Sequence, residues 1–411
     1  METFTTKITD YGYDGEGVAR FDGKVVFLPY ALKDEIVEFV KTEDKSSFSR
    51  GKVTKVLHEN ENRVIPPCPY FGNCGGCTLQ HAKYDYEIEI KKNLLAEQLQ
   101  KVGYTGGIEV CKSPKEYGYR NKIHLFVGKD GLSLKRRASN SLVAIKKCLL
   151  VLDRINFAIE KIDTFIKSQK LENVYSDVYI RQEGQSLLVN FVLRKKTQIN
   201  YQGIYLLLDG NCGIYETYKN VCLHKMGLQS LKINEMGLEC EFSINSFHQI
   251  NPYIMEKLYK EVMHNINGKT VLNCYSGAGV LSGIIAKRGF DVVGIELGKS
   301  EHCDAEKLKK DNELKNLTNI CADCGESLTN FNDLVDTIIV DPPRGGMSKE
   351  VCDAVNNSLA QTLIYVSCNS ATLVRDFARM ESFSIQKVVL FDMFAKTGEN
   401  ETLCVCRKIG N

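Results

Sequence analysis

Between residue 241 and the C-terminus, short runs of apolar and β-branched residues alternate with stretches of helical periodicity. The runs at 271–274, 291–295, 337–340, 363–366 and 388–391 read as strands. Strands this uniformly apolar belong inside a sheet covered on both faces. The first helix opens at Asn251-Pro252 and carries Ile254, Leu258, Val262 and Ile266 at helical spacing, with proline at the start where its missing N–H costs nothing. Strands and helices in this alternation predict an α/β unit, a doubly wound parallel sheet. In such sheets ligands bind at the carboxyl edge of the strands, so the chemistry is to be sought where each run ends.

At the end of the 362–366 run stand Ser367-Cys368-Asn369. Ser370 or Thr372 reads as the N-cap of a helix with Leu373, Phe377 and Met380 on one face. A thiol beside a helix N-terminus is a candidate nucleophile, since the positive end of the dipole favours a thiolate. The 271–274 run leads into Tyr275-Ser-Gly277-Ala-Gly279, a turn whose glycines let the backbone approach a ligand. It lacks the third glycine of the dinucleotide fingerprint, which disfavours a nicotinamide cofactor. Glu296 ends the next strand, where a carboxylate can accept from both hydroxyls of a ribose. Asp323 follows a third possible strand, within reach of an adenine edge. In this order the three fit an adenosine ligand such as S-adenosylmethionine. Asp341-Pro342-Pro343-Arg344 closes a fourth strand, and its rigid backbone projects Asp341 at the sheet edge. Glu401 opens the last apolar strand, where a held carboxylate can act as a general base.

The remaining 240 or so residues bear four further features. Residues 1–57 alternate apolar and polar positions between glycine turns, which predicts a small β-barrel. Then comes Cys68-Pro-Tyr-Phe-Gly-Asn-Cys74-Gly-Gly-Cys77. Three clustered thiols, with two glycines between the last two, predict a metal centre, with Cys111 or Cys148 as the distant fourth ligand. The spacing alone admits an iron–sulfur cluster or zinc. An amphipathic helix is expected over 86–102 with its lysines on a solvated face. The stretch 115–147 is basic, with Tyr117 and Tyr119 among its lysines and arginines. That pattern suits phosphate contacts and base stacking. A net charge of only +2 over 411 residues means that any nucleic-acid site comes from such local patches. No run of about 18 apolar residues predicts a membrane helix. Sixteen cysteines without a signal peptide predict reduced thiols in a cytoplasm.

Together these residues resemble the S-adenosylmethionine-dependent RNA uracil-5-methyltransferases, in particular the iron–sulfur branch that acts on ribosomal RNA. The resemblance spans nearly the whole chain. Residues 11–20 look like part of a TRAM domain. It implies a TRAM barrel over 1–57, an α+β central RNA-binding domain with an iron–sulfur cluster over 58–240, and a Rossmann-like class I methyltransferase domain over 241–411. It implies Cys68, Cys74, Cys77 and Cys148 as ligands of a [4Fe–4S] cluster. Tyr119-Arg-Asn-Lys122 resembles part of the RNA-binding domain. Phe247-His-Gln249-Ile-Asn251 resembles a segment that enters the cofactor site, with Gln249 as a cofactor contact. Tyr275, Gly277, Gly279, Glu296, Asp323 and Asp341 are the other implied S-adenosylmethionine contacts. Cys368 is the implied nucleophile and Glu401 the base, with Asp341 and Arg344 orienting the uracil. The chain departs from the family at Ser276, where a cysteine is usual, and at Ala395 and Glu399, where proline and histidine are. RNA is the implied partner, with no membrane and no obligate protein partner. Three rivals remain. An RNA cytosine-5-methyltransferase usually sets its nucleophile after proline, whereas Cys368 follows serine. A non-catalytic RNA-binding assembly factor has no use for Cys368 and Glu401. A transfer-RNA uracil-5-methyltransferase is expected to lack the TRAM barrel and the cysteine cluster, which favours ribosomal RNA.

Overall fold

The computed structural model describes residues 2–246, 249–331 and 335–410. Six strands between Phe4–Lys7 and Phe48–His58 form the first sheet. Their two-residue period turns Val26, Leu28, Val37 and Phe39 inward onto Ile8 and Ala19. Gly51 is required inside this wrap: a Cβ there would lie 2.7 Å from both Leu28 and Phe39.

The middle of the chain builds a seven-stranded sheet from Lys122–Gly128 to Val221–Gly227. Helix Asp153–Ser168 covers it with Ile155, Ile159, Ile162 and Ile166, which repeat at the spacing of one helical face.

The C-terminal sheet has eight strands. From one edge they run Leu317–Cys321, Asp291–Glu296, Thr270–Cys274, Thr337–Val340, Thr362–Ser367, Glu401–Lys408, Phe383–Phe391 and Ile108–Cys111. The first five are parallel, as expected. The sheet is nevertheless mixed, because Glu401–Lys408 inserts antiparallel between Thr362–Ser367 and Phe383–Phe391. Residues 392–400 hold no helix, and a parallel return needs a crossover of a dozen or more residues. The eighth strand comes from far upstream and pairs parallel to Phe383–Phe391. Helix Tyr84–Gln100 accompanies it, packing Leu95 and Leu99 against Leu373 and Phe377. The ribbon of Leu231–Glu235 and Leu238–Phe242 likewise buries Leu238, Cys240 and Phe242 against Ile284 and Ile285. Both ends of the middle span therefore build into the C-terminal core.

One expectation for helix Tyr84–Gln100 fails. Lys91 is not on a solvated face; it is completely buried and ion-paired to Glu87 and Asp392. Among the described residues no helix is long and apolar enough to cross a membrane.

Candidate active site

The strand register assembles the site. Cys274, Val340 and Tyr365 are neighbours across three parallel strands, so Tyr275 and Asp341 follow at the carboxyl edge. Ser367 pairs with Thr402 across the antiparallel ladder. Cys368 and Glu401, the next positions in that register, meet at the same edge. The antiparallel insertion thus brings the start of one strand to the end of another. The helix after Cys368, Ser370–Phe377, is capped by Asn369, whose side chain accepts from the N–H groups of Ala371 and Thr372. Neither Ser370 nor Thr372 is the cap; Asn369 stands one residue nearer the strand and reaches both donors.

Three acidic groups crowd this edge. Burial raises the Asp341 carboxyl to about 7. Burial, followed by the charge of Asp341, pushes Glu401 well above the carboxylate range. A buried carboxyl that feels the charge of another does not readily ionise beside it. Burial and the Glu401 charge push the Cys368 thiol up to about 11, against the opposing pull of Arg344. Both effects favour the thiol over the thiolate at rest. One turn of helix dipole does not offset desolvation beside two carboxyls. Arg344 itself is held by Glu399, 2.6 Å away, so the family departure at residue 399 places an acid on the site's own cation.

On the cofactor side, Tyr275 has φ +60°, a left-handed conformation unusual for an aromatic residue and typical of functional turns. Gly279 (φ +77°) then opens helix Val280–Lys287. Glu296 accepts from the N–H of Gly277 at 2.9 Å and of Gly298 at 2.7 Å. Each carboxylate oxygen keeps a second lone pair for a hydroxyl donor. Asp323 is exposed and caps helix Cys324–Ser327 through the Gly325 N–H at 2.7 Å. Gln249 is buried, and its main-chain carbonyl accepts from Asn121 Nδ2 at 3.2 Å. Phe247 and His248 lie outside the described residues.

The loop leading to Glu401 is held from three sides. Lys91 Nζ donates to Phe394 O at 3.2 Å from below. Tyr119 Oη donates to Ala395 O at 2.9 Å. Thr78 and Leu79 donate their N–H groups to Lys396 O at 3.0 and 3.1 Å, and Thr78 Oγ1 accepts from the Gly398 N–H at 2.8 Å. Tyr119 is thus fully buried and cannot stack on a base as its basic surroundings suggested. None of Lys91, Asp392 and Thr78 was expected here. Lys91 had a signal, since it interrupts the apolar stripe of Ile88, Leu95 and Leu99; Thr78 had none.

Cys68, Cys74, Cys77 and Cys148 line one cavity of about 250 Å³, with Arg120 on its wall. Cys111 lies elsewhere, paired with Phe391 in the C-terminal sheet. Among the described residues, no three candidate ligands gather tightly enough to hold a single metal ion.

A mostly parallel sheet with one antiparallel insertion, a glycine turn after Thr270–Cys274 and an acidic residue ending Asp291–Glu296 define an S-adenosylmethionine-dependent methyltransferase. The chain belongs to the tRNA (uracil-5-)-methyltransferase family, whose model matches residues 83–408, and a TRAM domain matches residues 2–54. It is 29% identical to the 23S rRNA (uracil(1939)-C(5))-methyltransferase RlmD of Francisella tularensis subsp. novicida, over 99% of this chain and 97% of that protein. It is also 29% identical to the tRNA (uracil(54)-C(5))-methyltransferase of Pyrococcus abyssi, over 93% of this chain and 95% of that one. The crystal structure of the P. abyssi tRNA (uracil-54, C5)-methyltransferase with S-adenosyl-L-homocysteine superposes with a TM-score of 0.81 at 27% identity, covering 98% and 99% of the two chains. The protein is an S-adenosylmethionine-dependent enzyme that methylates carbon 5 of uracil in RNA.

Proposed function

We propose that the substrate is a uridine of 23S ribosomal RNA and that Cys368 and Glu401 carry the reaction. The observation behind the residue roles is the ladder register that sets Cys368 against Glu401, with Asp341 one strand away. Carbon 5 of uracil is a weak nucleophile. The Cys368 thiol first loses its proton to solvent; the thiolate Sγ then bonds to carbon 6, and the displaced π electrons form an enolate on oxygen 4. Carbon 5 then attacks the methyl of S-adenosylmethionine, whose sulfonium leaves as the neutral thioether S-adenosylhomocysteine. Glu401, in its ionised form, takes the carbon-5 proton, and the electrons of that C–H bond restore the double bond as the thiolate of Cys368 is expelled. Arg344 balances negative charge as it develops, and Asp341 orients the base. Tyr275, Gly277, Gly279, Glu296, Asp323, Asp341 and Gln249 hold the cofactor. The target base has to leave its stack to reach this edge.

The four cysteines gather around one cavity, which suits the [4Fe–4S] cluster that the family resemblance implies. When bound, the cluster would cross-link segment 68–77 to Cys148. In this reading residues 1–57 and 58–240 bind RNA and residues 241–411 perform the methyl transfer, in the cytoplasm.

Nearly full-length similarity to the Francisella enzyme supports ribosomal RNA. The P. abyssi match covers the N-terminal barrel too, so the barrel alone does not exclude transfer RNA as the substrate. The test is to incubate the protein with S-adenosylmethionine and 5-fluorouridine transcripts of 23S RNA domains and of transfer RNAs, with 5-fluorocytidine controls. Fluorine cannot leave as a proton, so the adduct on Cys368 is trapped. A denaturant-resistant band with 23S RNA, lost in Cys368→Ala, is expected. A band only with transfer RNA overturns the substrate, and one that survives Cys368→Ala overturns the nucleophile. Anaerobically purified protein should carry about four irons, lost in Cys74→Ser.

A further inference from the structure

One wall of the mouth above Cys368 comes from the opposite end of the chain. A cavity of about 170 Å³ is bounded by Tyr11, Tyr13 and Asp14 of the N-terminal barrel and by Arg344, Cys368 and Glu399. Tyr13 Oη donates to Asn369 Oδ1 at 2.7 Å. The same oxygen accepts from the N–H groups of Ala371 at 3.0 Å and Thr372 at 3.4 Å. The tyrosine bond can therefore be given up without uncapping the helix. Tyr13 sits in a tight turn closed by the Gly15 N–H on Gly12 O at 2.9 Å. The turn is flush against the loop that bears Glu401: a Cβ on Gly398 would meet Asp14 O at 2.2 Å.

The mouth offers RNA little charge attraction. Asp14, Glu97 and Glu399 line it, and its cation, Arg344, is paired with Glu399. What the wall can offer is a ring. Tyr11 is fixed, since its hydroxyl accepts the Lys33 N–H at 2.8 Å and meets Tyr86 at 3.1 Å. Tyr13 is held only by side chains at the start of the helix after Cys368, through its bond to Asn369 and a contact with Ser370, and is 47% exposed. We propose that Tyr13 is a positioning residue that gates the mouth: RNA entry breaks its bond to Asn369, and the released ring stacks on the base next to the flipped uracil. This rests on the reading of Cys368 as the nucleophile.

The test measures RNA affinity in a Cys368→Ala background and adduct rate with 5-fluorouridine RNA in the native-cysteine protein, for Tyr13→Ala and Tyr13→Phe. S-adenosylhomocysteine affinity, unchanged in both variants, certifies the fold. Loss of a stacked base weakens RNA binding by about 5- to 100-fold, the expected result for Tyr13→Ala. Tyr13→Phe keeps the ring and loses the latch, so its affinity is preserved or improved and its adduct forms at least as fast as in the parent. Tyr13→Ala binding within twofold of the parent overturns the stacking role. A tenfold slower adduct in Tyr13→Phe with unchanged affinity overturns the gate, making the hydroxyl a prop for the Cys368 turn. An adduct that persists in Cys368→Ala refutes the nucleophile, while the affinity comparison still judges Tyr13.

Discussion

Replacing Lys91 with Met removes a charge that has no access to solvent. Lys91 Nζ donates to Glu87 at 2.8 Å, Asp392 at 2.6 Å and Phe394 O at 3.2 Å, and the side chains of Lys91, Glu87 and Asp392 are fully buried. Burial alone would favour the neutral amine, but Glu87 and Asp392 more than reverse it and keep the ammonium charged. Removing one partner of a buried ion pair costs about 3–5 kcal/mol, because the other charge is stranded. Two contacts soften the loss. Glu87 keeps Lys396 Nζ at 3.3 Å, and Asp392 keeps the Tyr84 hydroxyl at 2.6 Å. The low end of the range, about 3 kcal/mol, is therefore expected. The chain has no tryptophan, so urea unfolding is followed by far-ultraviolet circular dichroism. With a slope of about 2–3 kcal/mol/M, the midpoint should fall by about 1 M. The 5-fluorouridine adduct should also form more slowly, since the loop to Glu401 loses its floor. Adding Glu87→Gln should restore part of the stability, because the stranded charge is then removed. A midpoint within about 0.3 M of the parent, or a double variant weaker than the single, would refute the network as an anchor.

Cys368 is pushed up to about 11 by burial and then Glu401, so the free enzyme holds roughly one thiolate in ten thousand at pH 7. Adduct formation at subsaturating RNA should therefore rise with pH between 7 and 9, and a flat profile would show that the thiolate is already formed. Glu399→Gln frees Arg344 from its 2.6 Å partner. KM for RNA should fall about two- to threefold and the slope of log affinity against log salt should steepen by about one; an unchanged slope would mean that Arg344 does not meet phosphate. Gly398→Ala sets a methyl 2.2 Å from Asp14 O, which must part the barrel from the loop to Glu401. A loss of activity of about tenfold or more is expected, on the scale that small misplacements cost, with S-adenosylhomocysteine affinity unchanged.

What the sequence determined by itself was local in origin. Strand runs, the glycine turn, and the residues that end each strand follow from periodicity and from the ligand edge of parallel sheets, and they pointed to Cys368, Glu296 and Asp341. Clustering within ten residues marked Cys68, Cys74 and Cys77. The tertiary structure decided what depends on partners far apart in the chain. It inserted Glu401–Lys408 antiparallel, which sets Glu401 against Cys368, and it brought Cys148 rather than Cys111 to the cysteine cavity. It also buried Lys91, placed Tyr119 under the loop leading to Glu401, and set Tyr13 beside Asn369, 356 residues away. A charge, a phenol or a thiol in a sequence carries no record of its solvent exposure. Desolvation and the neighbouring charges fix whether Lys91 anchors a loop and whether Cys368 rests as a thiol, and both are properties of the folded chain.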